Sequence, residues 1–309
     1  MQEKTFIQEI AAALESHGVK AVPTASSGHG LSVSAMPLIK ATGASGHSTL
    51  LLPVDIESRT PEDAARQSMA IAGMPVMLQG AASRPAMILR DRWERQKETT
   101  LSRILAHCGV YTQVFARNCE VRRIEKGTAQ AFMAENHSYG RASCRYCYGL
   151  YVKRYSGKEM TSEVHRLPVG SLIAAAEFSN ARKWTKGEKE IRSYEWIRYA
   201  SLPGVRVSGG MGKILRQFIG DISPDDIMSY ADLEWSDGNV YRQLGFIEDG
   251  TKSPVLFAID PQTWERTPVK ADTPQDTSGS SRPDLTAGAG KLWYRNQGSI
   301  KYRLKLTDW

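Results

Sequence analysis

The chain has 309 residues, 41% hydrophobic and 24% charged, a composition that suits one large or two small globular units and excludes a disordered or fibrous chain. It holds no run of about 18 apolar residues and opens on the polar stretch MQEKTFIQEI, so neither a membrane span nor a secretory leader is expected, and the reading is a cytoplasmic protein. Forty Lys and Arg against 33 Asp and Glu give a net charge of +7, and the excess is local: residues 84 to 126 carry 10 basic and 5 acidic groups, residues 141 to 206 carry 13 and 6.

A basic midsection between near-neutral ends suits a polyanionic ligand, either nucleic acid or a phosphate-rich cofactor. In chain order, Phe6, Ile10, Ala13 and Leu14 recur at helical spacing before Gly18. A Gly/Ser-rich stretch from Ser26 to Gly46 follows, with His29 in it and His47 just after, and both histidines read as loop residues. A strand at Thr49 to Val54, a helix from Pro61 and a strand at Ala86 to Arg90 complete a small α/β module over residues 1–90. Residues 91–118 read as a linker built on one basic amphipathic helix, 91 to 107.

From Cys119 the pattern is strand, helix (Thr128 to Asn136), then strands at Tyr146 to Val152, Gly170 to Phe178 and Ser193 to Tyr199. A glycine loop and helix (Ser208 to Phe218) lead to a strand at Ile227 to Ala231, a short helix (Gly238 to Leu244) and strands at Val255 to Ile259 and Lys291 to Leu306. Helices that interrupt the strands singly predict a mixed α+β domain over 119–309. Residues 272–290, rich in Gly, Ser, Pro and Asp, read as a mobile surface loop.

The strongest chemical signal is Ser208-Gly209-Gly210-Met211-Gly212-Lys213, between a strand and a helix. Closely spaced glycines let backbone amides approach an anion, and the helix N-terminus adds partial positive charge, so a phosphate or diphosphate fits there. Val207 stands where a Walker A loop needs glycine, and the Gly-x-Gly-x-x-Gly spacing is absent. Arg182, Lys183, Trp184 and Arg198 interleave cations with aromatic residues, a surface able to contact nucleic acid. Cys144 and Cys147 have metal-ligand spacing, with Cys108, Cys119, His107 and His137 as conceivable companions, but a single pair is a weak pattern and no metal is expected.

Gly210-Met211-Gly212 followed by Tyr241-Arg-Gln-Leu-Gly-Phe246 resembles the GNAT superfamily of acyl-CoA-dependent N-acyltransferases over about Cys119 to Leu306. The blocks SYEWIRYA, SGGMGK and SYADLEWSDGNVYRQLGF, with FARNCEVRRI and ENHSYG before them, are similar to the phage and mobile-element type and, distantly, to Mom-type DNA-modification proteins. Relatives of that kind can carry an N-terminal nuclease-like region; residues 1 to 85 lack its acidic metal constellation, so nuclease activity is not expected. The resemblance implies a GNAT-like mixed sheet flanked by helices, behind the smaller N-terminal α/β module. It implies acetyl-CoA or another acyl-CoA held by Arg206 and residues 208 to 213, with Val207 in place of the usual Arg/Gln. It further implies Tyr241 as general acid and Glu195 as base, with Asp232 and His137 as alternatives. The expected activity is N-acylation, of a nucleobase amine in DNA in the finer reading. The competing readings are a non-catalytic DNA-binding module and a protein or small-molecule N-acetyltransferase. The number of subunits stays open.

Overall fold

A computed structural model describes residues 5–25, 36–77, 84–155, 167–269 and 290–309. His29 and nearly all of the expected loop 272–290 lie outside them.

The chain begins with α1 (Phe6–Glu15), started by a capping box in which Thr5 and Gln8 bond each other's backbone and ended where Gly18 turns at φ 72°. Strands β1 (Lys20–Ala25), β2 (Pro37–Thr42) and β3 (Ser48–Val54) pair antiparallel, and α2 (Pro61–Met77) crosses over to β4 (Ala86–Leu89), parallel to β3. The expected single helix 91–107 is broken at Gln96 (φ −141°, ψ 44°) into α3 (Arg90–Arg95) and α4 (Lys97–His107). Their apolar face is not a solvated link. Trp93, Ile104 and Leu105 are buried with Ile10, Leu14, Ile39 and Ile88 in the core of the first unit.

The next elements are β5 (Thr112–Phe115), β6 (Cys119–Arg123), α5 (Lys126–Asn136), β7 (Tyr146–Val152), β8 (Leu172–Phe178), β9 (Arg182–Lys186), β10 (Lys189–Ser201) and β11 (Val205–Ser208). Then come α6 (Gly210–Ile222), β12 (Asp226–Asp232), α7 (Asn239–Gln243), β13 (Ile247–Lys252), β14 (Leu256–Ile259), β15 (Arg266–Pro268), β16 (Leu292–Arg295) and β17 (Ser299–Lys305). The large sheet runs β13-β17-β12-β10-β8-β7-β6, with β9 folded back on β10. Its one parallel pair, β10 and β12, is joined through α6, the mixed sheet-and-helix arrangement expected from the sequence. Phe218 of α6 stacks on Phe178 at 3.9 Å between centroids, with Tyr148 and Tyr194 edge-on, which fixes the helix to the sheet.

The strand expected at Lys291 to Leu306 is two strands in two sheets. They separate at Gly298, whose φ is 74° and where a Cβ would lie 2.3 Å from the Lys252 carbonyl oxygen. β14, β15 and β16 form a small sheet whose Ile259, Leu292 and Tyr294 share a core with Leu38, Leu52 and Ile71 of the first unit. An almost fully buried ion pair, Arg266 to Asp91 at 2.5 and 2.7 Å, ties β15 to α3.

Asp91→Ala strands the buried Arg266 guanidinium and should cost about 3–5 kcal/mol, seen as a lower urea midpoint with an unchanged slope. Removing the exposed Arg66, whose pair with Asp63 faces solvent, should change stability by no more than about 0.5 kcal/mol.

Candidate active site

The parallel pairing of β10 and β12 covers only Ser193 to Glu195 against Asp226 to Met228. Beyond it the strands part. On its other edge β10 bulges against β8 between Trp196 and Arg198, which re-aims its side chains locally. The Ser229 hydroxyl, at the fork, donates to the Trp196 carbonyl at 2.8 Å. A cavity of about 630 Å³ opens there, walled by β10, β12, the start of α6, α7, the turn after α5 and, from the first unit, α4.

All four side chains proposed for chemistry line this cavity, together with Met211 and Arg198. Tyr241 stacks on Tyr302, and its hydroxyl lies 2.8 Å from Ser229 Oγ. The Ser229 proton faces the Tyr241 oxygen as well as the Trp196 carbonyl, and Tyr241 directs its own proton at the Tyr230 carbonyl, 3.5 Å away. Burial raises the Tyr241 hydroxyl above the usual tyrosine range, the Ser229 hydrogen bond opposing this and the charge of Glu195 adding to it, so it keeps its proton at neutral pH. Glu195 is held by its backbone, which donates to Ser179 Oγ at 2.8 Å and accepts from the Ser179 amide at 2.9 Å.

Asp232 and His137 are engaged elsewhere. Asp232 accepts from the Tyr139 hydroxyl at 2.7 Å and from the Glu234 amide at 3.0 Å. His137 accepts the Tyr139 amide through Nδ1 at 3.1 Å, which leaves its ring proton on Nε2. Burial, then Arg198, Arg103 and Arg92, pushes its pKa down to about 3, so it is a neutral donor rather than a base. Arg103, absent from the sequence reading, stacks on Trp235 at 3.8 Å and donates to Ser138 Oγ at 3.0 Å; burial lowers its pKa to about 10, and it stays charged. Ser229 and Tyr139 were equally unmarked, although both sit in quoted blocks: a hydroxyl has no sequence signature until a partner is placed beside it.

The glycine loop forms the N-terminus of α6, with Gly209 exposed at φ 78°. At Gly210 a Cβ would lie 2.9 Å from Tyr199 Oη and 3.0 Å from Leu150 and Val207; at Gly212 it would lie 3.2 Å from Leu244. Packing alone therefore favours glycine at Gly210, while at Gly212 a small shift of the Leu244 side chain would admit a Cβ. Ser208 Oγ accepts from Gln113 at 2.9 Å. The two cations assigned here are placed otherwise. Lys213 donates to the carbonyls of Ala116 and Cys119, and Arg206 donates to Tyr111 Oη at 3.0 Å and covers its ring. Any anion at this helix must be met by first-turn amides, which have no intrahelical partner.

The four basic and aromatic residues also divide. Arg182, Lys183 and Trp184 are exposed on β9, with Lys183 paired to Glu190 at 2.9 Å and Trp184 edge-on to Trp309. Arg182 pairs with Ser193, five residues before Arg198 on β10, so Arg198 stands roughly 16 Å further along the strand and belongs to the cavity. Cys144 Sγ lies 3.5 Å from Cys147 Sγ and 3.5 Å from Glu177 Oε1. The companions considered from sequence do not join them: Cys108 is in the first unit's core, Cys119 in the second's, and His107 stacks on Trp235.

No family model matches the chain, and no curated protein matches it in sequence. Among solved structures, a GNAT-family acetyltransferase from Bacillus anthracis aligns with a TM-score of 0.29 and 10% identity, over 61% of this chain and 95% of that one. Among the described residues no helix is long and apolar enough to cross a membrane.

His137 should show no imidazole protonation by NMR between pH 5 and 8. Its folded pKa lies below the unfolded value, so the unfolded chain binds more protons between about pH 3 and 6.5. Its contribution to stability is full above that window and is lost as pH falls through it. His137→Gln should therefore flatten the acid limb of stability against pH, measured by urea unfolding.

Proposed function

We propose that this protein is an acyl-CoA-dependent N-acyltransferase that takes acetyl-CoA or another acyl-CoA as donor and an amine as acceptor. One observation carries the reading: the protonated Tyr241 hydroxyl, pinned by Ser229 at the fork of β10 and β12, shares a cavity with Glu195 beside the N-terminus of α6. That terminus fits a diphosphate. Its first turn holds no acidic side chain to quench the helix dipole, and Gly209 leaves the approach open. The first-turn amides of residues 210 to 212 would hold the diphosphate, and the thioester supplies an activated acyl carbon with sulfur as leaving group.

The chain's own residues then move protons. Glu195 takes one from the attacking amine, and Tyr241 gives its own to the departing sulfur. Asp232 positions Tyr139, and His137 offers Nε2–H as a donor on the acceptor side. For the acceptor we infer an exocyclic amine of a nucleic-acid base, as in the modification of phage and mobile-element DNA; the exposed Arg182, Lys183 and Trp184 on β9 support it.

Calorimetry with acetyl-CoA should give one site per chain. Gly210 is a poor position for a test because any side chain there disturbs the core. Met211→Glu is better: Met211 is only partly buried against the core and an acidic residue in the first turn suits the helix dipole, so the fold should persist while acetyl-CoA affinity falls at least about tenfold, since about 1.4 kcal/mol of repulsion suffices. Tyr241→Phe should keep that affinity and lower transfer to amine-bearing oligonucleotides by about 10²–10⁴. Salt-sensitive duplex binding with no acetyl-CoA heat would replace the enzyme with a binding module.

A further inference from the structure

The geometry points to a second site, independent of the cavity chemistry: Cys144, Cys147 and Glu177 form a three-ligand centre for a divalent cation of the zinc class. Cys147 and Glu177 sit directly opposite one another in the β7–β8 register, so their side chains share one face of the sheet. The Arg145 amide bonds the Phe178 carbonyl at 2.8 Å, which holds the approach to β7 in place and brings Cys144 back over the same spot. The three ligand atoms lie within 4.8 Å of one another.

Spacing favours an ion over chance contact. Tetrahedral zinc, with Zn–S of about 2.3 Å and Zn–O of about 2.1 Å, sets its sulfurs about 3.8 Å apart and sulfur to oxygen about 3.6 Å apart. The values here are 3.5 Å and 3.5 Å. Glu177 supplies an independent sign: it is fully buried, and its Oε2 has no hydrogen-bond partner, a costly arrangement that ligation relieves. Thiolate-rich sites select zinc over magnesium or calcium.

The charges close as well. Two thiolates, a carboxylate and a dication leave one negative charge, and Arg198 stands opposite Glu177 on the neighbouring strand β10. Cys147 is buried and Cys144 half-buried, so the open fourth position faces the Cys144 side, where water can complete the set. Such an ion would anchor the segment from His137 to Cys144 to the sheet, and that segment carries the acceptor wall of the cavity.

The test is elemental analysis of the full chain, grown with added Zn²⁺ and gel-filtered in reducing buffer. We expect one zinc per chain. Cys144→Ser combined with Cys147→Ser should leave less than about a tenth of that, Glu177→Gln should weaken retention at least tenfold, and Cys108→Ser combined with Cys119→Ser should retain it. With Co²⁺ instead, the wild-type chain should show thiolate-to-cobalt charge-transfer absorption, which needs no variant to fold. Zn²⁺ should also protect two thiols from alkylation. No retained metal with equal alkylation in either condition overturns the site, as does a Cys144–Cys147 disulfide that forms on air exposure at the same rate with or without Zn²⁺.

Discussion

A parallel strand pair that stops after three residue pairs governs the rest of the molecule. Parallel neighbours need a crossover, here α6, so its glycine-rich N-terminus arrives at the same end of the sheet at which β10 and β12 come apart. The gap is bridged by one hydroxyl. Ser229 donates across it to the Trp196 carbonyl, and its hydroxyl also donates to Tyr241 Oη at 2.8 Å. Tyr241 reaches that point because α7 starts at Gly238, with φ 79° and a Cβ position only 2.3 Å from the Tyr302 ring. Tyr302 in turn donates to the Asp237 carbonyl and accepts from Arg242. Backbone freedom at a single glycine thus sets where the Tyr241 hydroxyl sits.

The opposite wall is electrostatic. Arg103 of the first unit, Tyr139 from the turn after α5 and Asp232 at the end of β12 face the cavity, with Arg92 and the buried Glu234 set behind them. Behind them lie the Tyr294 to Glu234 hydrogen bond at 2.5 Å and the Asp91–Arg266 pair. Burial, followed by the charge of Asp232, raises Glu234 to about 7. A hydrophobic filling of this volume would be no less stable. What alternating arginines and carboxylates provide is fixed direction: Arg103, which lines the cavity, is held over Trp235 and onto Ser138 Oγ.

Much of this was legible in the sequence. Tyr146 to Val152 is a strand at those limits, and the amphipathic α1, the strand–glycine–helix unit and the short α7 are where their patterns put them. All are local in cause. The errors arise where tertiary pairing decides. Gln96 breaks a helix whose pattern is continuous, and Gly298 sends one apolar run into two sheets. β9 consists of RKWTK, exposed at every position, and carries no alternation to read. Lys213 and Arg206 have the right charge close to the loop, Arg206 one residue early, yet two carbonyls and a tyrosine claim them. Glu177 joins Cys144 from some thirty residues away, beyond any spacing rule for metal ligands.

The same accounting separates the carboxylates in and behind the cavity. A general base needs an oxygen lone pair not already committed to a strong donor. Asp232 gives its oxygens to Tyr139 and to the Glu234 amide, and Glu234 gives one to Tyr294. Glu195 has no side-chain hydrogen bond or ion pair among the described residues, and its strand holds it by the backbone alone. Its charge nevertheless reaches Tyr241, whose hydroxyl it helps keep protonated. Glu195 and Tyr241 thus face one cavity, the first carried by β10 and the second held by Ser229 of β12, so that each strand of the fork fixes one of them.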